Sequence, residues 1–423
     1  MTRFRDVLSN KNFFFLWLGQ VVSNFGDRLT QMALVALVYQ SNPGSEMALA
    51  KLISFTIIPV FLIGPIAGAW VDRLDRRNIM IISDILRGVL VLSIPFFIYA
   101  RQILLVYLVI FLVFSISRFF IPSKMAIIPE IVSKDKLLIA NTLQDTTHLI
   151  GNVVGLVVAG IIVNIAFIGA IGGLYIDGAT FFISAVFIGM MAGAKALAPS
   201  VKDDLIDTKK AIENSFRKSV LNEIREGLRI IVRYSNMRFV VSVFFLLMAG
   251  IGAVSCVIIV FVQDAFGSST RDLGFLGMFL VGGLFLGTVL YGRFGQKISK
   301  RRIIYLSFIA SGVFMALFAF FVSRFPNLLV AGMLAGLLGM AVSPMMSATN
   351  TLTHETIPEE TRGRIFSSLE AVIHLAFLVF MFVAAFAAKY VDRSWILTSV
   401  GIVYSAGGIA GMLLGMRKRA TSP

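Results

Sequence analysis

The sequence holds a single cysteine, Cys256, among 423 residues. A disulfide framework within the chain is therefore excluded, and so is a cysteine-based metal centre. Histidine is nearly as scarce. His148, His354 and His374 are the three present, and no two stand within the four residues that a helical zinc pair needs. No GxxxxGK(S/T) loop to cradle phosphates and no hydrolase nucleophile elbow occurs. No metal, no cofactor, no built-in ATPase and no enzyme activity is expected. Charge is the third scarcity. Only 14% of residues are charged, against about 25% in a soluble domain. Acid is the rarer sign, with 23 Asp and Glu against 38 Lys and Arg.

What fills the space is apolar: 57% of residues are hydrophobic and the mean hydropathy is +0.88. A helix needs roughly 20 mostly apolar residues to cross the bilayer core. The runs here predict twelve such crossings, over 12–39, 46–70, 78–99, 102–128, 138–164, 168–194, 238–263, 273–294, 303–323, 327–352, 363–388 and 394–416. They are too long and continuous for barrel strands of about ten alternating residues. The expected fold class is an all-α membrane protein.

The distribution of Lys and Arg sets the expected orientation. One side of the twelve crossings carries 29 of them and the other side 5. The richer side includes both termini and the long middle segment, which places these in the cytoplasm. The same distribution explains the net charge of +15. It is spread over loops that face anionic membrane lipids, so nucleic acid is not an expected partner. The first span is too long for a cleavable signal and has no small-residue cleavage site after it. It is expected to stay in the membrane.

One short basic segment occurs twice. GAWVDRLDRR runs from Gly68 to Arg77, and GRFGQKISKR from Gly292 to Arg301, each between apolar runs. Gly68, Asp72, Arg73, Arg76 and Arg77 fall on Gly292, Gln296, Lys297, Lys300 and Arg301. Ser9-Asn10 recurs as Ser235-Asn236, Pro122 as Pro344 and His148 as His374, at offsets of 222 to 226. The second copy has Gln296 where the first has Asp72, and reads as degenerate. A membrane chain repeated at half its length predicts two bundles joined in parallel, as in transporters. The expected domains are a six-helix bundle over 1–194, a linker over 195–237 and a second bundle over 238–423. The pseudo-two-fold axis between the bundles lies along the membrane normal. Within the linker, Ile212, Phe216, Val220, Ile224 and Leu228 recur every four residues among Lys and Arg. That pattern predicts an amphipathic helix on the membrane surface.

Ionisable residues inside the membrane are costly, which makes them functional candidates. Asp27 and Arg28 in the first span and Arg118 in the fourth fall near mid-membrane depth. In the fifth span Gln144, His148 and Asn152 stack at i, i+4 spacing, and Asp145 neighbours His148 at i, i+3. In the eleventh, Glu370 and His374 repeat the i, i+4 pattern. An acid beside an imidazole suits proton exchange near neutral pH. Asp84 and Arg87 are placed to pair with each other, and Asp177 of the sixth span has no assignable role. Gly151, Gly155 and Gly160 in GNVVGLVVAG permit close helix approach.

On these residues the chain resembles the major facilitator superfamily over nearly its whole length. GAWVDRLDRR resembles that family's loop 2–3 signature, with Asp75 where many members have Gly. GNVVGLVVAG resembles its antiporter motif, departing at Leu156 and Ala159. WLGQVVS, YIDGATFFISA, EIREGLRII and TRGRIFS are similar to the macrolide-efflux branch of drug exporters. NFGDRLTQMALVAL and PSKMAIIPEIV are also similar to lysophospholipid flippases, and siderophore exporters share much of the pattern. The resemblance implies a secondary transporter of a bacterial inner membrane that works by alternating access. It implies export of a hydrophobic or amphipathic small molecule in exchange for protons, by a monomer. It further implies that the first and fourth spans line a cavity, where Asp27 and Arg118 are expected to form a pair or a water-bridged contact. Asp72 would face the start of the eleventh span, 361–364, and Arg76 or Arg77 would reach Glu130, latching one gate.

Overall fold

The computed structural model describes residues 4–64, 67, 71, 74–191, 235–267, 270–295, 298–356 and 362–420. Gly68, Asp72 and Arg73 of the first basic segment lie outside these, as do Gln296, Lys297 and Thr361. The segment expected to form the amphipathic linker also lies outside them up to residue 234. Among the described residues, all regular structure is helical. After a short α1 (Phe4–Leu8) come α2 (Lys11–Ser41), α3 (Glu46–Leu62), α4 (Arg76–Tyr99), α5 (Ile103–Ile131), α6 (Leu137–Asn164) and α7 (Gly169–Gly189). The second half holds α8 (Ser235–Phe266), α9 (Arg271–Phe294), α10 (Lys300–Arg324), α11 (Leu328–Thr356), α12 (Arg362–Ala387) and α13 (Arg393–Ala420).

Nine helices among the described residues are long and apolar enough to cross a membrane. Three of the twelve expected spans fall short of that. Helix α2 carries Gln20, Asn24, Asp27, Arg28 and Gln31 along its length. Helix α3 is described for 17 residues. The apolar stretch counted in α12 is Val372–Ala387.

Helix α4 shows how the apolar sequence is used. Met80, Asp84, Arg87, Val91 and Ile94 are buried, at the three- and four-residue steps of one helix face. The opposite face exposes Ile82, Val89 and Phe96. Charge inside and hydrocarbon outside is the reverse of a soluble helix, and it fits a lipid surround. Asp75 starts this helix, accepting from the Asn78 backbone N–H at 2.9 Å.

The chain packs as two compact units. The first comprises residues 1–41 and 51–218, the second 42–50 and 219–423. In the first, α2 packs on α6 and α7, and α4 on α5 and α7. In the second, α8 packs on α12 and α13, and α10 on α11 and α13. Each partnership of the first unit recurs in the second at the offset of the sequence repeat.

Small residues let backbones meet where lipid offers no hydrophobic drive. A Cβ at Gly283 of α9 would overlap the Gly336 carbonyl of α11, and one at Gly287 would stand 2.6 Å from the Met340 oxygen. Cys256 is fully buried in α8, its Sγ 3.8 Å from the Met381 carbonyl oxygen. The second unit includes residues 42–50, the turn after α2 and the first residues of α3. There Arg393 pairs with the buried carboxylate of Glu46, reaches Asp264 at 3.1 Å and donates to the Gly44 carbonyl at 3.2 Å.

Candidate functional site

The polar groups of the first unit gather on α2, α5 and α6. The Asp27 carboxylate lies within electrostatic reach of Arg87, Arg28, His148 and Lys124. Lys124 in turn lies within reach of Asp145 and Arg87. His148 faces Lys124, Arg28, Asp27 and Asp145. Lys124, which the sequence does not single out, belongs to this polar face. No ion pair joins Asp27 to Arg118. The charged group within reach of Arg118 is Arg87, another cation.

The imidazole of His148 does not bond to Asp145. Its Nδ1 lies 3.1 Å from the Asn152 amide nitrogen, one turn further along α6. In the second unit, His374 Nδ1 stands 3.2 Å from the Glu370 carboxylate and 2.8 Å from the Glu370 carbonyl oxygen. The two i, i+4 motifs therefore make different local bonds, acid–imidazole in one half and amide–imidazole in the other.

Behind this face sits a sealed charged layer. Arg87 pairs with Asp84, and both side chains are almost wholly buried. The Arg87 guanidinium also stacks between two rings, 4.7 Å from the centre of Phe120 and 4.4 Å from that of Phe181. Asp177 is buried on α7. It accepts from the Thr30 hydroxyl of α2, and the Thr180 hydroxyl lies 3.1 Å from its other oxygen. Gly26 of α2 has no Cβ to displace Thr180 and Asp177. No spacing rule anticipates the contact with Thr30, because Asp177 and Thr30 are 147 residues apart.

The glycines of the antiporter-like motif hold a specific neighbour. A Cβ at Gly155 would stand 2.8 Å from Cγ of Arg28, while one at Gly151 would meet nothing closer than Asn24 Cβ at 3.9 Å. The stripe on α6 therefore seats the aliphatic stem of Arg28. The Gly160 carbonyl accepts from the Asn164 amide at 2.7 Å.

The first basic segment clamps three helices at one end of the unit. Arg76, at the start of α4, pairs with Glu130 and donates to the Ala126 carbonyl at 3.2 Å, both near the end of α5. Arg77 donates to the Ile188 carbonyl at 3.1 Å and to the Gly189 carbonyl, at the C-terminus of α7. Cations are favoured at a helix C-terminus, where carbonyls lack partners. The second unit repeats the bridge. Lys300, at the start of α10, pairs with Glu355 near the end of α11. The contact expected between Asp72 and residues 361–364 lies outside the described side chains.

The family model described as transmembrane secretion effector, of the major facilitator superfamily, matches residues 6–421. The chain belongs to this family. Curated relatives of the transporter include macrolide efflux protein A of Streptococcus pyogenes, 22% identical over 96% of both chains. The multidrug efflux pump Tap of Mycolicibacterium fortuitum is 26% identical over 83% of both chains. The putative bacilysin exporter BacE of Bacillus subtilis is 26% identical over 85% of the transporter and 84% of that protein. Among solved structures, a bacterial homologue of the iron transporter ferroportin aligns with a TM-score of 0.70 at 15% identity, covering 95% of the transporter and 98% of that chain. A POT family transporter aligns equally well, with a TM-score of 0.70 at 12% identity over 97% and 96%. The likeness to those structures is one of fold.

Proposed function

We propose that the chain is a secondary exporter of hydrophobic or amphipathic small molecules, driven by proton exchange across a bacterial inner membrane. Both termini face the cytoplasm in this reading, and the two units alternate access to the cargo path. Three of the named relatives are themselves exporters by name, which supports the direction. The observation that carries the coupling is the polar face of the first unit. Asp27, Asp145 and His148 are titratable groups set among fixed cations, on helices otherwise chosen for lipid. A membrane helix keeps such groups at a cost, and a proton exchanged against cargo offsets it. Asp27 is the central group, because Arg87, Arg28, His148 and Lys124 all lie within its reach.

Proteoliposomes with a pH dye in the lumen test this. With no gradient imposed, adding a transported cargo drives proton movement in the native protein and none in Asp27→Asn. Cargo flux without proton movement overturns the antiport. In that outcome a gradient of the cargo itself, or the membrane potential, supplies the energy.

A further inference from the structure

Arginine cannot shed its charge at physiological pH. A guanidinium inside the membrane therefore needs an anion, or else bears the cost of an unpaired charge. Arg87 shows a guanidinium whose needs are met, with Asp84 as its counter-ion and a ring on each face. Arg118 does not have this, and Arg28 has the Asp27 carboxylate within electrostatic reach without a direct ion pair. Arg28 donates to the neutral amide of Gln31 at 2.7 Å, and its shielded Nε has no acceptor. The Nε of Arg118 is likewise shielded without an acceptor, and its charged neighbour is the cation Arg87. Both belong to one connected polar face. Asp27 reaches Arg28 and Arg87, and Arg87 reaches Arg118. On that face Arg28 and Lys124 have Asp27 or Asp145 within reach and Arg87 has Asp84, whereas the charged group within reach of Arg118 is a cation. Gly155 leaves room for the stem of Arg28.

We propose that Arg118 is the seat of an anionic group on the cargo. The transported molecule carries a phosphate or carboxylate at one end of an apolar body. A cationic drug would meet repulsion at this seat. The inference rests on the exporter reading and narrows its cargo. A phosphate of this kind belongs to a lysolipid drawn from the bilayer, and a carboxylate to an amphiphile taken from solution. The guanidinium fork recognises either one by paired hydrogen bonds.

The test uses the full chain in nanodiscs and three single-chain probes below their micellar concentrations: lysophosphatidylglycerol, N-dodecanoylglycine and dodecyltrimethylammonium. Each is titrated by intrinsic fluorescence. At least one anionic probe should bind about tenfold or more tightly than the cation, the scale of one charge-assisted hydrogen bond. Preference for the phosphate probe identifies a bilayer lipid as the source, and preference for the carboxylate a soluble amphiphile. Arg118→Gln should erase that preference by weakening the anions without weakening the cation, and Arg118→Lys should keep most of it. A merely structural arginine would weaken all three probes alike, and that result overturns the inference. So does a native preference for the cation. Flux of the same probes in proteoliposomes separates the two claims. Transport of the cation alone overturns the anionic cargo and leaves the exporter standing. Transport of none of the three counts against the exporter, while anion binding lost in Arg118→Gln still marks the seat.

Discussion

A methyl group added at residue 155 would press on the stem of Arg28, whereas one at residue 151 would find room. Gly155→Ala should therefore lower the melting temperature in detergent, by the overpacking scale of about 1–3 kcal/mol, and slow transport with it. Gly151→Ala should change neither. The charged pairs divide in the same way. Arg76 and Glu130 are partly exposed, so Glu130→Gln should cost no more than about 1 kcal/mol. Asp84→Ala strands a buried Arg87 and should cost about 3–5 kcal/mol, read as a large loss of folded protein on size exclusion. The sequence was legible here wherever spacing along one helix decides contact, as for Asp84 with Arg87 and Glu370 with His374. It also made Arg76 with Glu130 readable, through a motif. A direct ion pair of Asp27 with Arg118 is not formed. Counting residues along a span gives depth in the membrane, but not which way a side chain points around the helix axis. Arg87 lies within reach of both Asp27 and Arg118, and Asp27 also has Arg28, His148 and Lys124 within reach.

Helix pairs carry the repeat further than the letters do. Gln296 replaces the acid of the first basic segment, which makes the second copy read as degenerate. Yet Lys300 meets Glu355 as Arg76 meets Glu130. The missing sign was Glu355, at an offset of 225 from Glu130 and on a helix whose end was placed at residue 352. Lys300→Glu should weaken the junction of α10 and α11 slightly, and adding Glu355→Lys should restore it, measured as a double-mutant cycle in thermal melts. The glycine seam between α9 and α11 is a harsher constraint. Gly283→Ala meets the Gly336 backbone, which belongs to a helix axis and cannot give way like a side-chain tip. It should cost more than Gly282→Ala, whose added carbon meets nothing within 4 Å. Comparison of the two melts checks this. Which glycine of the neighbouring pair faces a partner follows from the rotation of the helix, and no sequence pattern in this stretch declares it.

For the molecule as a whole, composition disclosed the helical membrane class, and the repeat disclosed two bundles. The exact count of crossings was less legible, because the polar load of α2 and the short described run of α3 both depart from a simple apolar span. Nor did sequence contiguity reveal that residues 42–50 pack with the second unit. Arg393 holds them there through Glu46, whose carboxylate is 5% exposed. Arg393→Gln should leave that carboxylate without its counter-ion and cost about 1–3 kcal/mol. Faster amide hydrogen exchange across 42–50, with unchanged exchange in α4 and α5, is the expected signature. One further feature bears on how motion in this transporter is followed. Its lone thiol, Cys256, is sealed inside α8. A spin label or fluorophore coupled to a cysteine introduced at an exposed site such as Leu138 or Phe325 would report from that site alone, so the wild-type chain already serves as its own unlabelled background.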